Sequence, residues 1–299
     1  MERIIAGTLF ARATTPYGWD LKVHELGHGH VEAVALPCYA WHEVAALEAA
    51  AQLDYEECLA NPPEPTLREL LDRVALNRER STRRARTSVR RLAKFKGLSV
   101  LLTLTYKENM RDRERMARDF DVFVKRVRRV IPGFEYVCVF ERQKRGAWHA
   151  HIAVPRVLSH YLHKGQFVRS YDLLRSMWRA VVGMFDGAPG GNVDVSRNKR
   201  VNRSSAKLAA YLSKYIGKTF DQAEKHVNSY SASGRKLPDA IKERILTTSQ
   251  AEAISALVDL LRADLDGGPC EFHQALIDGG GYYLCLSPPE RGKHGQAIA

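Results

Sequence analysis

Apolar positions along this chain switch between two periods, and the switches mark the elements. Between Arg111 and Val130, the residues Met116, Phe120, Phe123, Val124 and Val127 recur three and four apart with arginines between them. That spacing predicts an amphipathic helix, ended by Pro132-Gly133. Tyr171 to Met184 and Lys207 to Lys218 repeat it. Leu98 to Tyr106, Phe134 to Arg142, Trp148 to Val154 and Asn192 to Ser196 read instead as strands. The order strand, helix, hairpin, helix, strand, helix predicts an α+β fold, an antiparallel sheet with helices on one face.

The flanks are patterned differently. Ile4 to Ala13 and His30 to Leu36 have strand-like content. Asn61-Pro62-Pro63-Glu64-Pro65 breaks the chain and leads into Thr66-Leu67-Arg68-Glu69, a capping box. A helix in one or two pieces should follow, with Leu67, Leu70, Leu71 and Val74 as its early apolar stripe and Gly97 as its stop. Ile241 to Leu265 reads as helix, and Phe272 to Ile277 with Tyr282 to Leu286 reads as a hairpin. The expected division is 1–95, an acidic region leading into a basic helix; 96–220, the central domain; and 221–299, a helical and hairpin extension.

Composition narrows the class. The chain is 45% hydrophobic and 27% charged, as soluble globular proteins are. No run of apolar residues is long enough to span a membrane, and Met1 leads straight into Glu2 and Arg3. Five scattered cysteines without a C-x-x-C pair read as reduced thiols, so a cytoplasmic location is expected. Charge changes the picture more. Residues 1–72 hold 4 Lys/Arg against 12 Asp/Glu, a net of −8, whereas 73–129 hold 19 against 6, a net of +13. A concentration of that kind suits phosphate backbones, with Arg84, Arg86, Arg90, Arg91, Lys94, Lys107 and Arg145 as the expected DNA contacts.

Candidate chemistry lies just beyond the basic segment. Side chains alternate along a strand, so His149 and His151 point the same way and can grip one metal ion. Lys144-Arg145-Gly146 suits a three-residue hairpin loop, which pairs Gln143 with Ala147, Arg142 with Trp148 and Glu141 with His149. Glu141 then joins the histidines, a two-His, one-carboxylate set suited to Mg²⁺ or Mn²⁺; a one-residue change of register would turn it away. Tyr211 and Tyr215, four apart on a helix, present two phenols side by side. Lys214 and Lys218 follow them at the same offset, where ammonium groups can favour phenolate or bind a flanking phosphate. His24-Glu25-Leu26-Gly27-His28 spells a zinc-protease pattern, but Gly27 and Gly29 among valines favour a hairpin over the helix that chemistry needs.

Leu102-Thr103-Leu104-Thr105, the histidine pair and the tyrosine segment, in that order, resemble the HUH endonuclease superfamily. The resemblance is to replication initiators of rolling-circle plasmids and single-stranded DNA phages, in their two-tyrosine class. It covers residues 98 to 220 and implies a palm-like (RRM-like) nuclease domain with N- and C-terminal additions. It also implies cleavage of single-stranded or hairpin origin DNA that leaves a 3′ hydroxyl and a 5′ phosphotyrosine. Members often carry an acidic or amide ligand just before the turn, which matches Glu141 first and Gln143 second. No phosphate-binding Gly-x-x-x-x-Gly-Lys-Ser/Thr loop occurs, so a host helicase and polymerase are the expected partners, with no membrane, in a bacterial cytoplasm. Alternatives are a two-tyrosine transposase of the same superfamily and a catalytically silent nucleic-acid-binding regulator on the same fold.

Overall fold

The computed structural model describes residues 1–46, 49–62, 64–186, 190–196, 204–220, 230–234, 236–262 and 270–289. It opens with strands β1 (Glu2–Ile5), β2 (Thr8–Arg12), β3 (Gly18–Glu25), β4 (Val31–Cys38) and β5 (Trp41–Ala46). Helices α1 (Ala49–Ala60) and α2 (Leu67–Phe95) lead to β6 (Val100–Thr105), α3 (Arg113–Val130), β7 (Val137–Arg142) and β8 (Trp148–Val154). Next come β9 (His160–His163), β10 (Gln166–Arg169), α4 (Ser170–Asp186), β11 (Asn192–Ser196) and α5 (Ser205–Phe220). The chain closes with β12 (Tyr230–Ala232), β13 (Ile241–Ile245), α6 (Gln250–Arg262), β14 (Glu271–Ile277) and β15 (Gly281–Ser287). The architecture is α+β, its sheets built from antiparallel pairs.

Two compact units form. The first is built from Met1–Glu25, Gly29–Leu76 and Pro238–Ser287, and the second chiefly from Asn77–Leu237. The second holds a five-stranded sheet in the order β11-β6-β8-β7-β12. Alternation sorts its side chains onto two faces. Leu102, Leu104, Cys138, Phe140, Ala150 and Ile152 meet α3 and α4 in one buried cluster. Leu101, Val137, Val139 and Ala153 meet the end of α2 and the apolar stripe of α5 in another. Helices therefore cover both faces, not one as the element order predicts. The reason is in β8, whose seven residues are all buried: a strand with no solvent-facing side needs cover on each. On the α3 side, Trp178 is fully buried, donates its indole N–H to Thr105 O at 2.9 Å, and meets Tyr106 and Phe123 edge-on.

In the first unit, β13-β3-β4-β15-β14 form a sheet that packs Trp19, Leu21, Val23, Leu284 and Leu286 against Ala253, Leu257 and Leu261 of α6. Ile241–Ile245 is a strand paired with β3, not the start of a helix. The helix begins only after Ser249, whose hydroxyl accepts from Glu252 N and so caps it. The stretch Ile4 to Ala13 is likewise two strands, because Ala6 and Gly7, at φ 47° and 75°, turn the chain between Ile5 and Thr8. β3 ends at Glu25, so the His24 to His28 pattern is strand and loop rather than helix.

Helix α2 is continuous. Glu69 Oε2 accepts from Thr66 N at 2.9 Å, and Thr66 Oγ1 accepts from Glu69 N at 3.3 Å, the capping box the sequence predicts. Leu67, Leu70, Leu71 and Val74, expected to face inward, are each at least 42% exposed. Capping and not burial starts this helix; burial takes over at Ala85, Val89, Leu92 and Ala93.

Candidate active site

The hairpin β7–β8 sets the site. Gln143 N donates to Ala147 O at 2.8 Å, and Gly146 adopts φ 90° at the end of the loop. The resulting register places Glu141 opposite His149 and Arg142 opposite Trp148. Glu141, His149 and His151 thus share one face of the sheet, the face covered by α5, and are 9%, 8% and 6% exposed. Thr103 pairs with His151 from the next strand, and beyond it Asp194, exposed, pairs with Thr103.

Each histidine is held by a second group. His151 Nε2 lies 2.8 Å from Glu141 Oε2, while its Nδ1 is 3.3 Å from Thr103 Oγ1. His149 Nδ1 lies 3.0 Å from Gln143 Nε2. Burial, with His151 and Arg145 nearby, pulls His149 down to about 4, so it is neutral at pH 7 and keeps a lone pair available.

Helix α5 brings the phenols. Leu208, Leu212 and Ile216 are fully buried against the sheet, which fixes the rotation of the helix and leaves Tyr211 and Tyr215 half-buried on its flank. Ser213 Oγ donates to Ala209 O at 2.8 Å and lies 3.4 Å from Arg86 O, where α5 rests on α2. The ring of Tyr215 stacks on His151 with centroids 4.2 Å apart and planes 19° from parallel. Its hydroxyl donates to Tyr211 Oη at 2.5 Å. Burial first, then that hydrogen bond, holds the Tyr215 phenol above its ordinary value. An unaided Tyr215 is a poor nucleophile.

Two imidazoles and a carboxylate on one buried face are donors of the right chemistry for a divalent cation. They are not drawn together around one point. The histidine ring centroids are 6.5 Å apart, and the His151–Glu141 hydrogen bond takes up the lone pair a cation would use. Among the described residues, no three His, Cys, Asp or Glu side chains are already gathered as a metal-binding group, which holds also for His24, His28, His30 and His42.

Of the remaining predicted residues, Lys214 is exposed beside the phenols, and the side chain of Lys218 lies outside the described residues. Arg145 is exposed at the hairpin tip and lines, with Glu141, Gln143 and Lys144, a shallow opening beside the histidines. Arg84, Arg86 and Lys107 are exposed, and Arg90 and Arg91 half-buried. Lys94 is a correction: it is 3% exposed on the sheet-facing side of α2, so it is no part of a DNA-contacting surface. Sequence reasoning missed Thr103 and Gln143 as partners of the histidines. Gln143 follows from the same hairpin register that places Glu141, whereas Thr103 depends on how β6 docks against β8.

Residues 99–220, all within the second unit, match a family of replication-associated proteins, the ORF2 type. That match supports a replication initiator family, a role in DNA replication and binding to DNA. No curated protein and no solved structure matches the chain. Among the described residues, no helix is long and apolar enough to cross a membrane.

Proposed function

We propose that this chain is a metal-dependent nicking and joining enzyme of the two-tyrosine HUH class that starts rolling-circle replication at a single-stranded or hairpin origin. The observation that carries this reading is the stack of Tyr215 on His151, which sets two phenols beside a buried His-His-Glu face. A replication-associated family match over the same segment agrees with it.

In this reading His149, His151 and Glu141 hold Mg²⁺ or Mn²⁺, with Gln143 as the amide alternative. When bound, the cation polarises the scissile phosphate and offsets charge developing on its oxygens. Gln143 and Thr103 keep each imidazole turned with its Nε2 toward the site, since each occupies an Nδ1. The phenolic oxygen of Tyr215 bonds to phosphorus as the bond to the 3′ oxygen breaks. The phenolic proton, handed first toward Tyr211 Oη, leaves the tyrosine pair to end on the 3′ hydroxyl. The product is a 5′ phosphotyrosine, whose ester bond keeps the energy needed for rejoining. Tyr211 serves the second cleavage. Lys214 and Lys218 offer ammonium groups to the flanking phosphates, and Arg145 offers a guanidinium at the opening.

The test is incubation of the protein and Mn²⁺ with a labelled single-stranded DNA library, scored for a covalent protein–DNA adduct. Tyr215→Phe should lose most of the adduct, Tyr211→Phe less, and the double variant and His149→Ala all of it. Binding without any adduct would sink the enzyme reading in favour of a silent regulator on this fold.

A further inference from the structure

Between β8 and α4 the chain builds an arm that the nicking site does not use. Strands β9 and β10 pair around Lys164-Gly165, at φ 51° and 78°, and the register sets Leu162 opposite Phe167 and His160 opposite Arg169. One face of this hairpin, carrying Tyr161, His163 and Val168, is half-buried where the strands lie on α3 and α4. Tyr161 Oη also accepts from Leu158 N at 3.1 Å and ties down the approach to the arm. The other face is open: Leu162 is 61% exposed and Phe167 77%.

An aromatic and a leucine paired in water contribute little to folding, so their exposure calls for a partner. Charge says which kind. From residue 155 to 170 the chain carries Arg156, Lys164 and Arg169 with no aspartate or glutamate. A planar apolar surface ringed by cations matches unpaired bases strung on phosphates. The arm packs on the α3 and α4 side of the sheet, whereas the phenols lie on the α5 side.

We infer that the β9–β10 hairpin is a second DNA-binding surface, on which Phe167 and Leu162 stack an unpaired base while Lys164 and Arg169 hold its phosphates. The inference rests on the reading of this chain as a DNA-acting protein, but not on nicking.

The experiment uses the full chain in EDTA, so no cleavage enters. Fluorescence anisotropy would follow binding of a labelled oligothymidylate and of a labelled blunt duplex of equal length. Phe167→Ala should weaken oligothymidylate binding roughly tenfold and leave the duplex unchanged, and Phe167→Trp should keep wild-type affinity. Lys164→Ala with Arg169→Ala should lower the slope of log affinity against log salt by about 1.4 for the single strand. Unchanged affinity in Phe167→Ala overturns the proposal. So does equal loss in the alanine and tryptophan variants, equal loss on duplex, or concentration-dependent self-association in sedimentation that Phe167→Ala abolishes. Adduct formation at Tyr211 and Tyr215 is scored separately, so either proposal can fail while the other stands.

Discussion

His149 is neutral at pH 7 because it is buried on β8 beside His151 and Arg145. The unfolded chain takes up a proton on this residue near pH 6.5 and the folded chain only near 4. Between those values the unfolded state binds more protons, so stability falls as the pH falls. Urea unfolding of metal-free protein from pH 7 to pH 4 should show that loss, and His149→Gln should flatten it. The partner of the same ring gives a second expectation. Gln143→Ala removes the group at His149 Nδ1 and should weaken Mn²⁺ binding by about tenfold, read by calorimetric titration. Glu141 was legible in the sequence because a three-residue loop fixes its register against His149. Thr103 was not, since its distance to His151 is set by pairing between strands 48 residues apart.

Elements were legible where one period held throughout. Strands Trp148–Val154 and Asn192–Ser196 end where the pattern ends, and α3 buries the predicted Met116, Phe120, Phe123, Val124 and Val127. Ile241–Ile245 defeated the pattern because five residues with isoleucine at each end fit both periods, and pairing with β3 decided between them. The helices on the second face were hidden for a related reason: a continuous apolar strand does not say which elements cover it. Element geometry also carries consequences for the site. Gly146→Ala places a side chain at φ 90°, with Arg111 Nε 3.4 Å from the new Cβ. It should cost about 1–2 kcal/mol in thermal or chemical unfolding and lower adduct yield by disturbing the turn that aligns Glu141. Leu212→Ala empties a fully buried position under α5 and should cost about 2–5 kcal/mol. Since Leu212 sets the rotation of the tyrosine helix, its adduct yield should fall even at temperatures where the variant stays folded.

At the scale of the whole chain the dominant fact is charge, with −8 over residues 1–72 and +13 over 73–129. The sequence made that division plain but could not say which cations reach solvent, because α2 is basic on most sides and its packed face is chosen by the sheet. The structure separates them. Arg84 and Arg86 are exposed, whereas Lys94, ten residues along the same helix from Arg84, is 3% exposed beside Leu92 and Ala93. The two kinds of lysine and arginine should therefore respond differently to substitution. Arg84→Gln with Arg86→Gln should weaken binding to single-stranded DNA at low salt and reduce the salt slope by about 0.7 for each cation that touches phosphate. Lys94→Met should leave that slope unchanged and instead shift the melting temperature, since it alters a buried position and no DNA contact. Affinity measured across a salt series, beside calorimetric melting of the same proteins, decides the matter. A lower slope for Lys94→Met would place that lysine on the DNA after all, and require α2 to turn its sheet-facing side outward when it binds.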